Sequence, residues 1–186
     1  MPDISNATTA SRDVIKLLDM RPTIDSESTE GKIVEDCRGL LRLENVHFRY
    51  PTRPAVSVLR GIDLEIKPGT YVALVGGSGC GKSTTIQLIE RFYDPVIGRV
   101  LLDGQDITEL NLRSLRRHIA LVSQEPTLYE GSIGFNLRLG AFEDADKVTD
   151  EQLRTAAAEA NILDFIESLP QGFGEYLKVL SPYSFC

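Results

Sequence analysis

Cysteine, histidine, positive charge and long apolar runs are all scarce in this 186-residue chain, and each scarcity excludes something. Cys37, Cys80 and Cys186 make neither a paired framework nor a metal-ligating spacing, so they read as free thiols in a reducing compartment. His47 and His118 stand far apart in sequence, without obvious partners, and read as ordinary structural histidines. No stretch approaches the ~18 apolar residues that cross a bilayer, and no secretory n-region and h-region are visible. The polypeptide is therefore expected to be soluble on its own. The formal net charge is -7. That argues against nucleic acid, whose phosphates require clustered Lys and Arg. The basic cluster "LRSLRRHI" reads as the solvated face of a short helix.

What is present is the composition of a globular protein, 42% hydrophobic and 25% charged. The length suffices for one core, or most of a larger one. Val14, Ile15, Leu17 and Leu18 fall at helical spacing. The polar "RPTIDSESTEGK" then reads as a linker, making residues 1–35 an approach segment.

From Leu41 the apolar period becomes two. Leu41 and Leu43 share a face, and Val46, Phe48 and Tyr50 resume after a slip near Asn45 that suggests a bulge. Ile62, Leu64 and Ile66 alternate and stop at Pro68-Gly69. "YVALV" (71–75) and "IALVS" (119–123) are apolar throughout, as expected of strands buried on both faces. A helix is expected over Lys82–Phe92, and a strand with an Asp103-Gly104 turn over "GRVLLDGQDI". Thr149 and Gln152 stand at capping-box spacing. Ile162, Leu163, Phe165, Ile166 and Leu169 mark one helical face.

Between the first apolar run and the helix lies "GGSGCGKS". It fits G-x-x-x-x-G-K-S/T at Gly76, Gly81, Lys82 and Ser83, in the strand–loop–helix context this pattern requires. Glycines let the backbone approach a polyanion closely, so that successive N–H groups point inward. The helix start adds unpaired N–H groups and a positive dipole end. Lys82 supplies a full charge near the β and γ phosphates. Ser83 offers a hydroxyl to Mg²⁺, and Thr84 can donate to the α phosphate. Gly77, Ser78, Gly79 and Cys80 complete the cradle. A plain glycine-rich turn is the alternative, against which the context speaks.

"FRYPTRP", "LRGIDLEIKPG", "VALVGGSGCGKSTTIQLIERFYDP", "IALVSQEPTLYEGSI" and "EANILDFIESLP" follow one another in an order and spacing that resemble an ABC transporter nucleotide-binding domain. The resemblance is closest to the exporter branch of P-glycoprotein-like multidrug transporters, in particular the second such domain of fungal members. It implies an α/β fold of the P-loop NTPase, ABC-type ATPase. This would hold an N-terminal antiparallel β subdomain, the start of a helical subdomain and an incomplete parallel sheet. It implies a linker after a transmembrane region over 1–35, a partial ATP-binding domain over 36–173 and a divergent tail over 174–186. Tyr50 would stack on adenine, with Arg53 and Val58 beside it, and Gln124 would complete the coordination of Mg²⁺. ATP and Mg²⁺ would be the cofactors. Transmembrane domains and a second nucleotide-binding domain would be the partners, at the cytoplasmic face of a membrane.

Asp103 imitates the metal-binding aspartate of a Walker B strand, but the Asp-Gly pair is better explained as a hairpin turn. The resemblance ends at "ESLPQGF". The family's signature loop, true Walker B strand, catalytic glutamate and switch histidine have no match in these 186 residues. The expectation is an incomplete domain that binds ATP without efficient hydrolysis and exposes apolar strand surface. A catalytically silent interaction fragment remains an alternative. So does another P-loop enzyme such as a small-molecule kinase, although some thirty strand-like residues ahead of the loop oppose it.

Overall fold

The computed structural model describes residues 11–12, 14–16, 20, 22–124, 127–141 and 145–178. They fall into two compact units that divide between Ala120 and Leu121.

The first unit is built on four antiparallel strands: β1 (Leu41–Phe48), β2 (Leu59–Ile66), β3 (Ile97–Leu102) and β4 (Gln105–Asp106), in spatial order β2-β1-β3-β4. The slip read at Asn45 is a bulge. The register of β1 shifts there against both neighbours, and Asn45 takes φ 45°. The extra residue brings Leu43, Val46 and Phe48 to one buried face despite their uneven spacing. Gly98 lets β3 pass the bulge, because a Cβ there would lie 2.2 Å from the Asn45 carbonyl oxygen. Asp103 and Gly104 take φ 52° and 83° between β3 and β4, the two left-handed residues of a tight hairpin.

Two helices cover this sheet's core: α1 (Lys82–Ile89) and α2 (Leu112–Arg117). Leu88 and Leu115 are fully buried against Leu43, Val46 and Val100. Asn111 caps α2 by accepting the Ser114 N–H at 2.9 Å. The arginines of α2 are not simply a solvated face. Arg116 donates to the carbonyl oxygens of Glu90 and Arg91 at 3.1 Å each, and its guanidinium stands 4.6 Å from the centre of the Phe92 ring. It closes the orphan carbonyl end of α1, a role that sequence spacing does not reveal. The histidines find partners as well. His47 Nε2 lies 3.0 Å from Asn45 Oδ1, and His118 Nε2 lies 3.1 Å from the Val34 carbonyl oxygen.

The approach segment ends fastened. Lys32 bridges to Leu110 through backbone bonds, and its ammonium pairs with Glu109 at 2.8 Å. Val14 and Ile15 are helical and exposed. Leu17 and Leu18 lie outside the described residues.

The two apolar runs depart from expectation. Residues 71–76 and 119–123 form no strand. Tyr71, Val75 and Val122 are 105%, 91% and 93% exposed. A doubly apolar strand needs a ladder partner on each edge and a cover on each face; among the described residues these segments have no ladder partner, and Ile119 packs only partly buried against the core.

The second unit holds a short pair, β5 (Gly131–Ser132) with β6 (Tyr176–Leu177), and three helices: α3 (Ile133–Arg138), α4 (Asp150–Glu159) and α5 (Leu163–Ser168). Thr149 and Gln152 form the expected reciprocal box at the start of α4. Leu153, Ala157 and Ile166 are buried. Ile162 and Phe165 are exposed instead, so the buried stripe of α5 is narrower than its apolar spacing suggests. Among the described residues no helix is long and apolar enough to cross a membrane.

Candidate functional site

The loop Gly76–Gly81 leads directly into α1. Gly79 and Gly81 take φ 77° and 97°, which places the loop in the left-handed region that side chains resist. Gly81 is the residue that caps the helix, and it does so without a side-chain acceptor. The first intrahelical bond runs from the Thr85 N–H to the Gly81 carbonyl at 2.8 Å. The N–H groups of Lys82, Ser83 and Thr84 therefore stand at the helix start without an intrahelical partner, at the positive end of the dipole.

Lys82 folds over this loop. Its ammonium donates to the carbonyl oxygens of Gly76 and Gly77, each at 2.8 Å, and lies 3.6 Å from the Cys80 Sγ. Ser83 is exposed beside it, and Thr84 is buried at 5% exposure. The loop also packs tightly behind itself. A Cβ on Gly76 would meet the Cys80 Sγ at 2.6 Å, and one on Gly81 would meet Leu59 Cδ2 at 2.5 Å. The cradle is thus seated on β2, with Val58 alongside Gly81.

Unpaired N–H donors, a flexible ammonium and an exposed hydroxyl are hard, cation-rich donors suited to a phosphorylated ligand with its Mg²⁺. The residues present fit Mg·ATP at this end.

Tyr50 reaches the same helix. Its hydroxyl lies 2.8 Å from Thr84 Oγ1 and donates to Gln87 Oε1 at 2.9 Å. Its half-buried ring meets Phe48 and Tyr93 edge-on, at centroid distances of 5.0 and 5.4 Å. A phenol has one proton, and Gln87 takes it. The Thr84 hydroxyl must then donate to Tyr50, which leaves the Thr84 backbone N–H as what it offers a phosphate. Arg53 stays exposed in the turn after Tyr50, where its N–H donates to the Tyr50 carbonyl at 2.9 Å. Gln124 is exposed and belongs to the second unit.

Asp103 serves the fold. Its carboxylate accepts the N–H groups of Arg38 at 2.7 Å and Leu40 at 2.9 Å, with Gly39 at 3.4 Å. Burial works against its charge, but the Leu40, Arg38 and Gly39 amides and the Cys37 thiol outweigh that and hold the carboxyl below its ordinary range. The Cys37 thiol is pushed up by its burial and by Asp103.

Sequence reasoning missed Gln87, Phe48 and Tyr93 as the surroundings of Tyr50. The available signal was the three-residue step from Thr84 to Gln87, which stacks both on one helix face.

The sequence profile of the ABC transporter family matches residues 59–180. The chain is 55% identical over 175 residues to the ABC multidrug transporter MDR1 of Cryptococcus neoformans, covering 93% of this chain and 12% of that protein. It is 57% identical over 173 residues to the ABC multidrug transporter MDR2 of Trichophyton interdigitale, covering 93% and 13%. The chain thus spans about an eighth of the curated relatives it matches. A solved bacterial Atm1-family ABC exporter with ATP bound superposes with a TM-score of 0.79 at 34% identity, covering 93% of this chain and 29% of that one. With its glycine cradle and Lys82 seated at the start of α1, the chain belongs to the ABC transporter family.

Proposed function

We propose that Gly76–Thr84 binds the phosphates of Mg·ATP, and that this chain is the ATP-binding part of an exporter. That exporter would move hydrophobic or peptide-like substrates across a membrane. The observation that carries the reading is the Lys82 ammonium standing over a loop whose helix-start N–H groups are unpaired. The names of the two curated relatives above, both multidrug transporters, and the ATP-bound exporter of similar fold support it.

Each residue has a distinct task. The loop amides and Lys82 hold the phosphates. Ser83 presents its hydroxyl to Mg²⁺. Tyr50 lays its ring against the base, flanked by Arg53 and Val58. Mg·ATP, when bound, supplies the free energy of phosphoryl transfer. Transmembrane domains and a second nucleotide-binding domain are the partners, at the cytoplasmic face. None of the residues that meet the phosphates here is a general base, so the polypeptide by itself binds nucleotide without efficient turnover.

Calorimetry and a phosphate-release assay on the 186-residue chain test this together. Saturable heat with Mg·ATP and phosphate release near the protein-free blank are expected. No heat would refute the binding site, and turnover at the rate of an intact transporter domain would refute the silent chemistry.

A further inference from the structure

We infer that Gln87 is a positioning residue for the base-side tyrosine, fixing the Tyr50 ring to the helix that also carries the phosphate contacts. The inference rests on the reading of Tyr50 as the residue that meets the base.

Thr84 and Gln87 stand three residues apart on α1, one above the other. The Tyr50 hydroxyl sits between them, 2.8 Å from Thr84 Oγ1 and 2.9 Å from Gln87 Oε1. The two bonds use the phenol as both donor and acceptor, so each fixes a different direction. Phe48 and Tyr93 abut the ring edge-on, at interplanar angles of 82° and 89°. Swinging the ring away breaks both hydrogen bonds and two aromatic contacts.

The first turn of α1 therefore has two jobs. Ser83 is exposed on the loop side, and Thr84, the next residue, is buried against Tyr50. Whatever orders this turn at the phosphate end also orders the tyrosine at the base end. Stacking contributes most when the platform is already in place, because no rotamer freedom is then lost on binding. Gln87 accepts the phenol proton, and without it that proton has only water or Thr84 to turn to. The base-dependent share of affinity should then fall while the phosphate-dependent share stays.

The test titrates the full chain with Mg·ATP and with Mg·tripolyphosphate, which has the charges and no base. The variants are Gln87→Ala, Gln87→Glu, Tyr50→Phe and the Gln87→Ala/Tyr50→Phe pair. Gln87→Ala is expected to weaken Mg·ATP about 3–10-fold. Tripolyphosphate should shift less than about twofold on the same basis. Gln87→Glu keeps an acceptor for the phenol and should restore ATP binding. The double variant should match Tyr50→Phe alone, because the two side chains act as one unit. Equal losses on both ligands, no loss on ATP, or additive losses would overturn the inference. Should Gln87→Ala fail to fold, Tyr50→Phe alone must still separate the two ligands. If the unaltered chain binds both ligands equally tightly, the base-side reading of Tyr50 fails and the role of Gln87 falls with it. If it binds neither, the phosphate loop itself is misread, and both proposals fall at that earlier step.

Discussion

The Lys82 ammonium donates to the Gly76 carbonyl oxygen at 2.8 Å, so the loop's charge tethers its own first residue. Removing that side chain removes this strut together with the proposed phosphate contact. Lys82→Ala is expected to weaken Mg·ATP roughly 10–100-fold, the range of a charge-assisted contact. Arginine should not rescue it, because a planar fork cannot replace a point charge between two carbonyls. Calorimetry decides: a change in Kd below about twofold would show that the ammonium does not meet the ligand.

Gly81 and Gly104 both have left-handed backbones, at φ 97° and 83°, but their surroundings differ. A Cβ at Gly81 would meet Leu59 Cδ2 at 2.5 Å, whereas one at Gly104 would meet nothing within 4 Å. Gly104→Ala should therefore cost about 1 kcal/mol, the backbone strain alone. Gly81→Ala should cost about 2–4 kcal/mol, because buried Leu59 must also shift. Urea melts of the two variants side by side would show the order, and equal losses would refute the packing argument.

The loop, the bulge at Asn45, the hairpin at Asp103-Gly104 and the capping box at Thr149 were all legible in sequence. Each is a local device whose residues and spacing carry the reason. Arg116 and Gln87 were not legible, because each meets a neighbour brought close by packing: Arg116 the end of α1, and Gln87 the Tyr50 hydroxyl beyond β1. Residues 71–75 and 119–123 mark a third kind of limit. Their apolar runs state what the segments require, which is burial on both faces, and say nothing about which strands meet that requirement. The glycine loop and the lysine at the start of α1 were readable because glycine and lysine chemistry is local. Tyr50 was singled out only through resemblance, because its partners lie 34 and 37 residues away.

Asp103 separates a fold role from a metal role. Its folded-state carboxyl lies below the ordinary value, so its contribution is present above that value and lost as pH falls through the folded one. Asp103→Ala should lower stability at pH 7 by about 1–3 kcal/mol, through the amides of Arg38 and Leu40 left unpaired. Asp103→Asn, which tolerates the left-handed backbone and retains one acceptor oxygen, should cost less. Neither should alter how nucleotide binding depends on Mg²⁺. A weakened Mg²⁺ dependence in Asp103→Asn would restore the metal-ligand reading that the hairpin argues against.

Glu90 carries the opposite sign. It is 7% exposed at the end of α1, and its Oε2 finds no hydrogen-bond partner among the described residues. Burial pushes its carboxyl above the ordinary range, and the opposing pull of Arg116 is the smaller effect. A raised folded value means that the folded state holds the proton more tightly than the unfolded chain does. The resulting stability is present below the ordinary glutamate value and is lost as pH rises through the folded one. Glu90→Gln keeps the shape, removes the buried charge and should raise Tm by about 2–4 °C at pH 7.5. The gain should vanish near pH 4, where Glu90 is protonated in both states. Thermal melts of both proteins across pH 4–8 measure this. A Tm lowered at pH 7.5 would mean that the Glu90 charge stabilises Arg116 over the C-terminal carbonyls of α1 by more than its burial costs.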